Sequence, residues 1–133
     1  MSKYKKTGFF NSFKNAGRGI RLSIKSEKNV RFHIFAAFLV IIFAFLLKMS
    51  IAKICILILA ISNVFVAEFI NTSLEYGLDA VFHNKYSRLV GMAKDISAGA
   101  VIIASIFSAI IGFLLFGSEI IKLLNDSKLL QNL

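Results

Sequence analysis

Residues 54–67 of the chain read ICILILAISNVFVA, and residues 68–79 continue directly as EFINTSLEYGLD. The first part is almost wholly apolar and predicts a helix that crosses a membrane. In the second part, a helical rotation of about 100° per residue places four polar side chains within roughly 80° of arc. Ionisable groups at membrane depth are costly, so we expect this face to bind metal ions or cations of other helices. The four side chains are Glu68, Asn71, Glu75 and Asp79.

Two further apolar segments flank this one. Residues 34–47 are uninterrupted, and residues 98–116 carry no charge. Because a helix needs about 20 residues to cross the hydrocarbon, we predict three membrane helices. Their expected positions are about residues 30–49, 52–79 and 92–117, which form one membrane domain (30–117) followed by a short polar tail (118–133). The first segment begins too late and lacks the cleavage pattern of a signal peptide, and Cys55 is interpreted as a lone apolar residue.

Basic residues are distributed unevenly between the two sides of the predicted membrane domain. Nine of the 16 Lys and Arg lie in the first 33 residues, three between the second and third helices, and four on the opposite side. This asymmetry predicts a plasma-membrane protein whose N-terminus and polar face are cytoplasmic. The net charge of +9 is then explained by topology and anionic lipid, and nucleic acid is not an expected partner.

The N-terminal region, residues 1–29, has the pattern of a basic amphipathic helix at the membrane surface. Apolar residues such as Phe9, Phe13 and Ile20 recur at helical spacing beside a basic face. Glu27 is the exception on this helix. It is consistent either with a residue pointing into the protein or with a local ion pair to Arg31, four positions later.

Oxygen ligands for Mg²⁺ and a cation for phosphoryl oxygens are what a phosphate-handling site requires. The carboxylates above, Glu27 and Lys94 are expected at one cytoplasmic level. The chain has neither a P-loop nor a dinucleotide-binding glycine motif, and no His/Cys set with zinc spacing. His33 and His83 are interpreted as lone residues with ordinary interface or loop roles. The residues thus predict an ion site on a membrane bundle without specifying the reaction.

Two motifs resemble the prokaryotic diacylglycerol kinase family, which includes the undecaprenol kinases of Gram-positive bacteria. One is Glu68-x-x-Asn71-Thr-x-x-Glu75-x-x-x-Asp79, followed after a short turn by Ala93-Lys94-Asp95-x-x-Ala98-Gly99-Ala100-Val101. The other is Phe13-Lys-x-Ala16-x-x-Gly19-Ile-Arg21 with Lys25-Ser-Glu27-Lys-Asn29-x-Arg31-x-His33. The resemblance covers about residues 9–116. The connecting turn departs from the family pattern, because its usual His is missing.

This resemblance implies a homotrimer of three-helix subunits that uses MgATP to phosphorylate a lipid alcohol. It implies that Glu68 is the catalytic base and that Glu27 and Glu75 are the metal-linked glutamates. Asn71 and Lys94 match residues around the phosphates. The implied nucleotide contacts are Gly19, Arg21, Asp79 and Asp95.

Three functions are compatible with the sequence at this stage. The first is a lipid kinase, with undecaprenol favoured as acceptor over diacylglycerol because the segment around Glu27 resembles the Gram-positive members. The second is a small ion-coupled transporter, which should have acids at the bilayer midplane and paired half-repeats. The third is a structural membrane subunit with salt-bridged acids, which leaves the shared level of the polar groups unexplained.

Overall fold

The computed structural model describes residues 8–83, 85 and 87–131. Over these ranges the chain forms four α-helices and no strand, so the predicted all-α fold is confirmed. The helices are α1 (Phe9–Ser26), α2 (Lys28–Leu46), α3 (Ile51–Phe82) and α4 (Arg88–Gln131). Residues 1–7 and 132–133, together with Asn84 and Tyr86 of the predicted turn, lie outside the described residues.

Three of the helices, α2, α3 and α4, are long and apolar enough to cross a membrane. This confirms the prediction of three membrane helices. Within their most apolar stretches only 11%, 22% and 6% of residues are buried, so most apolar side chains face outward, as expected in lipid. At 1.5 Å per residue α4 is about 66 Å long, well beyond the roughly 30 Å hydrocarbon core. It continues through residues 118–131, where we had expected a short polar tail.

The first helix, α1, lies against α2 and α3 through only part of its surface. Ser23 is its buried residue, whereas Phe9 and Phe13 are 74% and 70% exposed. An apolar face left open on a helix with many basic residues is typical of a helix at the membrane surface. The fold is therefore a surface helix followed by three membrane helices.

A sharp corner at Glu27 separates α1 from α2. Glu27 has an extended backbone (φ −98°, ψ 122°), and its N–H donates to the carbonyl of Ser23 at 2.9 Å. The guanidinium of Arg31 donates to the carbonyls of Ile24 and Lys25 at 3.0 and 2.9 Å. Arg31 thus satisfies carbonyls at the end of α1 that have no intrahelical partner. The alternative in which Arg31 pairs with Glu27 is wrong, because its guanidinium is directed to these carbonyls.

A tight turn connects α2 to α3. Lys48 adopts a left-handed backbone (φ 51°), and the N–H of Met49 donates back to the carbonyl of Ala44 at 3.1 Å. This return bond is a common way to end a helix. It buries Met49 against Ala44 and Leu57, which form the small hydrophobic core at this end of the bundle.

The two longest helices, α3 and α4, pack against each other in antiparallel orientation. Ser97 contacts Asn71, Ser108 donates to the carbonyl of Ala60 at 2.8 Å, and Glu119 contacts Lys53. The residue numbers of the contacts therefore rise along α4 as they fall along α3, which is the order expected of antiparallel helices. Small and hydroxyl side chains allow such close approach of membrane helices.

Candidate active site

The polar face of α3 begins with a buried acid. Glu68 is 2% exposed and points toward α2, where Nε2 of His33 lies 3.2 Å from its Oε1 atom. Within the described part of the chain, Oε1 makes no bond of hydrogen-bonding geometry, and neither does the buried hydroxyl of Thr72 one turn further on. A buried carboxylate with so few partners is costly to maintain, which is typical of a functional group.

Other acids surround Glu68. The carboxylates of Glu27 and Glu75 lie near enough to add negative charge around it, and the imidazole of His33 is the group that faces it from α2. Glu27 reaches this position because the corner between α1 and α2 brings it in half-buried. Glu75 lies two turns beyond Glu68 on the same helix face. Three acids from two parts of the chain therefore lie near one another at this end of the bundle.

A chain of hydrogen bonds connects this acidic cluster to α4. The amide of Asn71 donates to Oε1 of Glu75 at 3.1 Å, and its carbonyl oxygen accepts from the hydroxyl of Ser97 at 2.6 Å. Ser97 also lies 2.9 Å from the carbonyl oxygen of Lys94. The amide of Asn71 is therefore held in one orientation by partners on both helices.

The polar face ends in an ion pair. Nζ of Lys94 lies 2.6 Å from Oδ1 of Asp79, and both side chains are about one-third exposed (32% and 38%). A partly exposed lysine of this kind can reach an incoming anion without crossing apolar surface. The structure thus places Lys94 at the open end of the site and Glu68 at its buried end.

The remaining predicted site residues lie at the edge of this arrangement. Gly19 faces α3, where it lines a cleft of about 390 Å³ with Thr72 and Tyr76. Arg21 is exposed on α1, and Asp95 is exposed on α4. Neither Arg21 nor Asp95 forms an ion pair with the central residues in the described structure.

The donor set is suited to a hard divalent cation, since it consists of carboxylate and amide oxygens. Across the described ranges no three His, Cys, Asp or Glu side chains are close enough to hold a metal ion by themselves. Mg²⁺ commonly takes only one or two protein carboxylates and completes its shell with water and substrate phosphates. The converging acids fit an ion that arrives with a nucleotide better than a permanent protein-bound ion.

Two contributors to the site were not identified from the sequence. His33 was interpreted as a lone residue with an ordinary interface or loop role, and Ser97 was given no part in the site. The residue pattern alone gives no reason to pair His33 with an acid 35 positions away. The signal for Ser97 was available, because it lies one helical turn after Lys94 and so shares its face.

An apolar groove extends from His33 between α2, α3 and α4. Its volume is about 630 Å³, and small residues form much of its lining, including Ala36, Ala60 and Gly112. At its far end it reaches Phe116. The buried end of the polar site is therefore continuous with a surface suited to hydrocarbon.

The described residues place a buried carboxylate, two neighbouring acids and a lysine at one end of a bundle of membrane-length helices, an arrangement suited to an integral membrane phosphotransferase. A structural subunit would not explain this arrangement, because its acids would not need to lie at the same depth in the membrane. The chain belongs to the prokaryotic diacylglycerol kinase family, whose sequence pattern matches residues 14–116. This confirms the resemblance and decides against the transporter alternative.

Two relatives are similar over most of this chain, and the first by itself shows the same membership. The chain is 42% identical over 108 residues to undecaprenol kinase from Bacillus subtilis (strain 168), covering 81% of this chain and 87% of the relative. It is 35% identical over 101 residues to diacylglycerol kinase from Synechocystis sp. (strain ATCC 27184 / PCC 6803 / Kazusa), covering 76% of this chain. That alignment spans 58% of the relative, so this chain matches a little over half of its length.

Proposed function

We propose that this protein transfers the γ-phosphoryl group of MgATP to the hydroxyl of a membrane lipid alcohol, with undecaprenol as the acceptor. The observation that carries the proposal is the buried Glu68, which faces His33 of the apolar groove and lies on the same helix face as Asp79, the partner of Lys94. Undecaprenol is preferred because the relative of that name is the more similar of the two, at 42% against 35% identity, and is covered over 87% of its length against 58%.

The position of Glu68 along α3 supports a lipid acceptor. Fifteen residues separate it from Lys53, which corresponds to about 22 Å along a helix axis. If Lys53 marks one edge of the roughly 30 Å hydrocarbon layer, Glu68 lies within the opposite leaflet. A lipid hydroxyl can reach this depth while its chain stays in the apolar groove.

In the proposed reaction, Glu68 accepts the proton of the lipid hydroxyl as its oxygen attacks the γ-phosphorus. The new O–P bond forms while the bond from the γ-phosphorus to the bridging oxygen of ADP breaks. Proton transfer to a positioned carboxylate contributes typically 10²- to 10⁴-fold to rate. Lys94 and Asn71 orient the phosphoryl oxygens, and Lys94 must exchange part of its contact with Asp79 for phosphate.

Glu27 and Glu75 would hold Mg²⁺, since both are acids that converge at Glu68. When bound, the ion neutralises charge on the phosphates. Gly19, Arg21, Asp79 and Asp95 are proposed to contact the nucleotide at the open end. The excess of basic residues on the α1 side supports a cytoplasmic site, where ATP is available, and favours anionic lipid around α1.

A homotrimer is also part of the proposal. Most apolar side chains of the single chain are exposed, so its helices have surface available for further copies as well as for lipid. Chemical cross-linking in membranes should give species up to three chains and no larger.

Purified protein with labelled ATP, Mg²⁺ and either undecaprenol or diacylglycerol tests the function directly. We expect phosphorylation of undecaprenol at a kcat/KM above that for diacylglycerol. The variant Glu68→Gln should lose about 10²- to 10⁴-fold in kcat while binding MgATP normally, because an amide cannot accept the proton.

Folded protein that phosphorylates neither lipid would overturn the proposed function. If the protein prefers diacylglycerol, the proposed acceptor is wrong but the lipid kinase function stands. Full turnover by Glu68→Gln would contradict only the assignment of Glu68 as the base.

A further inference from the structure

Glu68 lies in an environment that opposes a charged carboxylate. Its side chain is 3% exposed, and Glu27 and Glu75 add negative charge nearby. In the described part of the chain no lysine or arginine lies within 4.0 Å of it. A buried acid without a partner is strongly destabilised as an anion, yet a base must be anionic to accept a proton.

His33 is the group placed to resolve this conflict. It belongs to α2, and its Nε2 atom lies 3.2 Å from Oε1 of Glu68 on α3. Its side chain is 22% exposed, so the ring is mostly buried but keeps some access to solvent. The 3.2 Å separation is short enough for a hydrogen bond, and Oε1 has no other hydrogen-bond partner in the described structure, so it is available to an Nε2–H donor.

The position of His33 also relates the carboxylate to the apolar groove. His33 lines the groove together with Phe32 and Ala36, so it stands between the groove and Glu68. A donor that holds Oε1 occupies one of the two carboxylate oxygens and leaves the other, Oε2, for a second partner. A base that is oriented by a second group in this way keeps one oxygen available for the proton it receives.

We propose that His33 is a positioning residue for Glu68: its Nε2–H group holds Oε1 and leaves Oε2 to accept the proton of the lipid hydroxyl. This role rests on the proposed lipid kinase function and adds a residue from α2 to it. The requirement is for an N–H donor at this position and not for an imidazole as such, because a donor alone can orient the carboxylate.

Two substitutions of similar bulk separate the donor from packing. His33→Gln retains an N–H group at about the reach of Nε2, whereas His33→Leu fills the space without a donor. The other histidine of the chain provides a control. His83 is exposed and ends α3 with a left-handed backbone (φ 51°), a conformation that asparagine accepts, so His83→Asn removes an imidazole elsewhere without strain.

The assay measures kcat and the KM values for MgATP and lipid, with thermal unfolding measured in parallel. We expect His33→Leu to lower kcat about 10- to 100-fold, the loss appropriate to a hydrogen bond to a charged group. The KM for MgATP should stay within about twofold, since the nucleotide end of the site is untouched. His33→Gln should recover most of the lost kcat, and His83→Asn should match the unmodified protein.

A residue that only packs the bundle would give a different result. In that case His33→Gln and His33→Leu would be equally impaired, with lowered unfolding temperatures, and the positioning role would be overturned. Unchanged kcat in His33→Leu would overturn it as well. Both results are read only if the unmodified protein is active in the same assay. An inactive unmodified protein would instead overturn the proposed function, so the two failures can be told apart.

Discussion

At the scale of single residues, the site depends on how Asn71 is oriented. An amide group can turn either its oxygen or its nitrogen to a given neighbour, and the two choices present different groups to a phosphate. Ser97 donates to the oxygen at 2.6 Å, and Glu75 accepts from the nitrogen at 3.1 Å. The hydroxyl on α4 thereby determines what the amide on α3 offers.

Ser97→Ala should weaken this orientation. Loss of one hydrogen bond of about 1 kcal/mol corresponds to a several-fold change, and we expect the KM for MgATP to rise about 3- to 10-fold. Steady-state kinetics at varied MgATP would measure it. Ser108→Ala is the matched control, since it removes a hydroxyl bond between the same two helices at Ala60, away from the polar face. Equal KM values in the two variants would contradict the role assigned to Ser97.

At the scale of elements, α3 and α4 are held together at both ends by ion pairs. Lys94 and Asp79 form the partly exposed pair at the site, and Lys53 and Glu119 form the other, with 2.5 Å between Nζ and Oε2. Ser118 also accepts from Lys53 at 2.9 Å. Glu119 of the second pair lies on the part of α4 that extends beyond the predicted membrane span. The extension therefore contributes to holding α4 against α3.

Replacing Glu119 should destabilise the bundle without affecting catalysis. In Glu119→Gln the ammonium group of Lys53 loses its counter-charge at the edge of an apolar helix pair. We expect the thermal unfolding midpoint in detergent to fall by a few degrees, with kcat within about twofold of the unmodified value because the site lies at the opposite end of α3. Lys122→Gln is the control. Lys122 is 67% exposed, and its Nζ lies 4.0 Å from Oε1 of Glu119, so this ion pair should contribute little. An unchanged midpoint in Glu119→Gln would show that the pair adds nothing to stability.

At the scale of the whole molecule, the charge asymmetry predicts the direction in which the bundle is inserted. The basic surface helix and the polar end of α3 lie on one side, and the end of α4 lies on the other. An odd number of membrane helices requires this separation of α1 from the C-terminal end of α4. The active site would then face the compartment that holds ATP.

Cysteine labelling in intact cells tests the orientation. Cys55 is the chain's single cysteine, so a Cys55→Ser background allows one new thiol at a time. Asn11 on α1 and Lys128 near the end of α4 are both exposed. We expect a membrane-impermeant maleimide to label Lys128→Cys in intact cells and Asn11→Cys only after permeabilisation. The reverse pattern would place the site outside the cell and contradict the proposed use of ATP.

Local patterns in the sequence were sufficient for much of this architecture. The three membrane helices follow from the lengths of apolar segments, and the polar face of α3 follows from helical periodicity. Both properties depend on residues within a few turns of each other, which is why they can be derived without tertiary contacts. The extent of α4 could not be derived in this way, because balanced charge after residue 117 is compatible with either a helix or a loop.

The sequence by itself therefore determined the number of spans, the amphipathic character of α1 and the residues that share a face on α3. Only the tertiary structure decided which polar groups meet across helices: His33 with Glu68, Ser97 with Asn71, and Glu119 with Lys53. The tertiary structure also decided the corner at Glu27, where Arg31 donates hydrogen bonds to the carbonyls at the end of α1. The physical reason is that such contacts depend on the rotation and axial offset of one helix relative to another, which the packing of all the helices sets together and no single segment encodes.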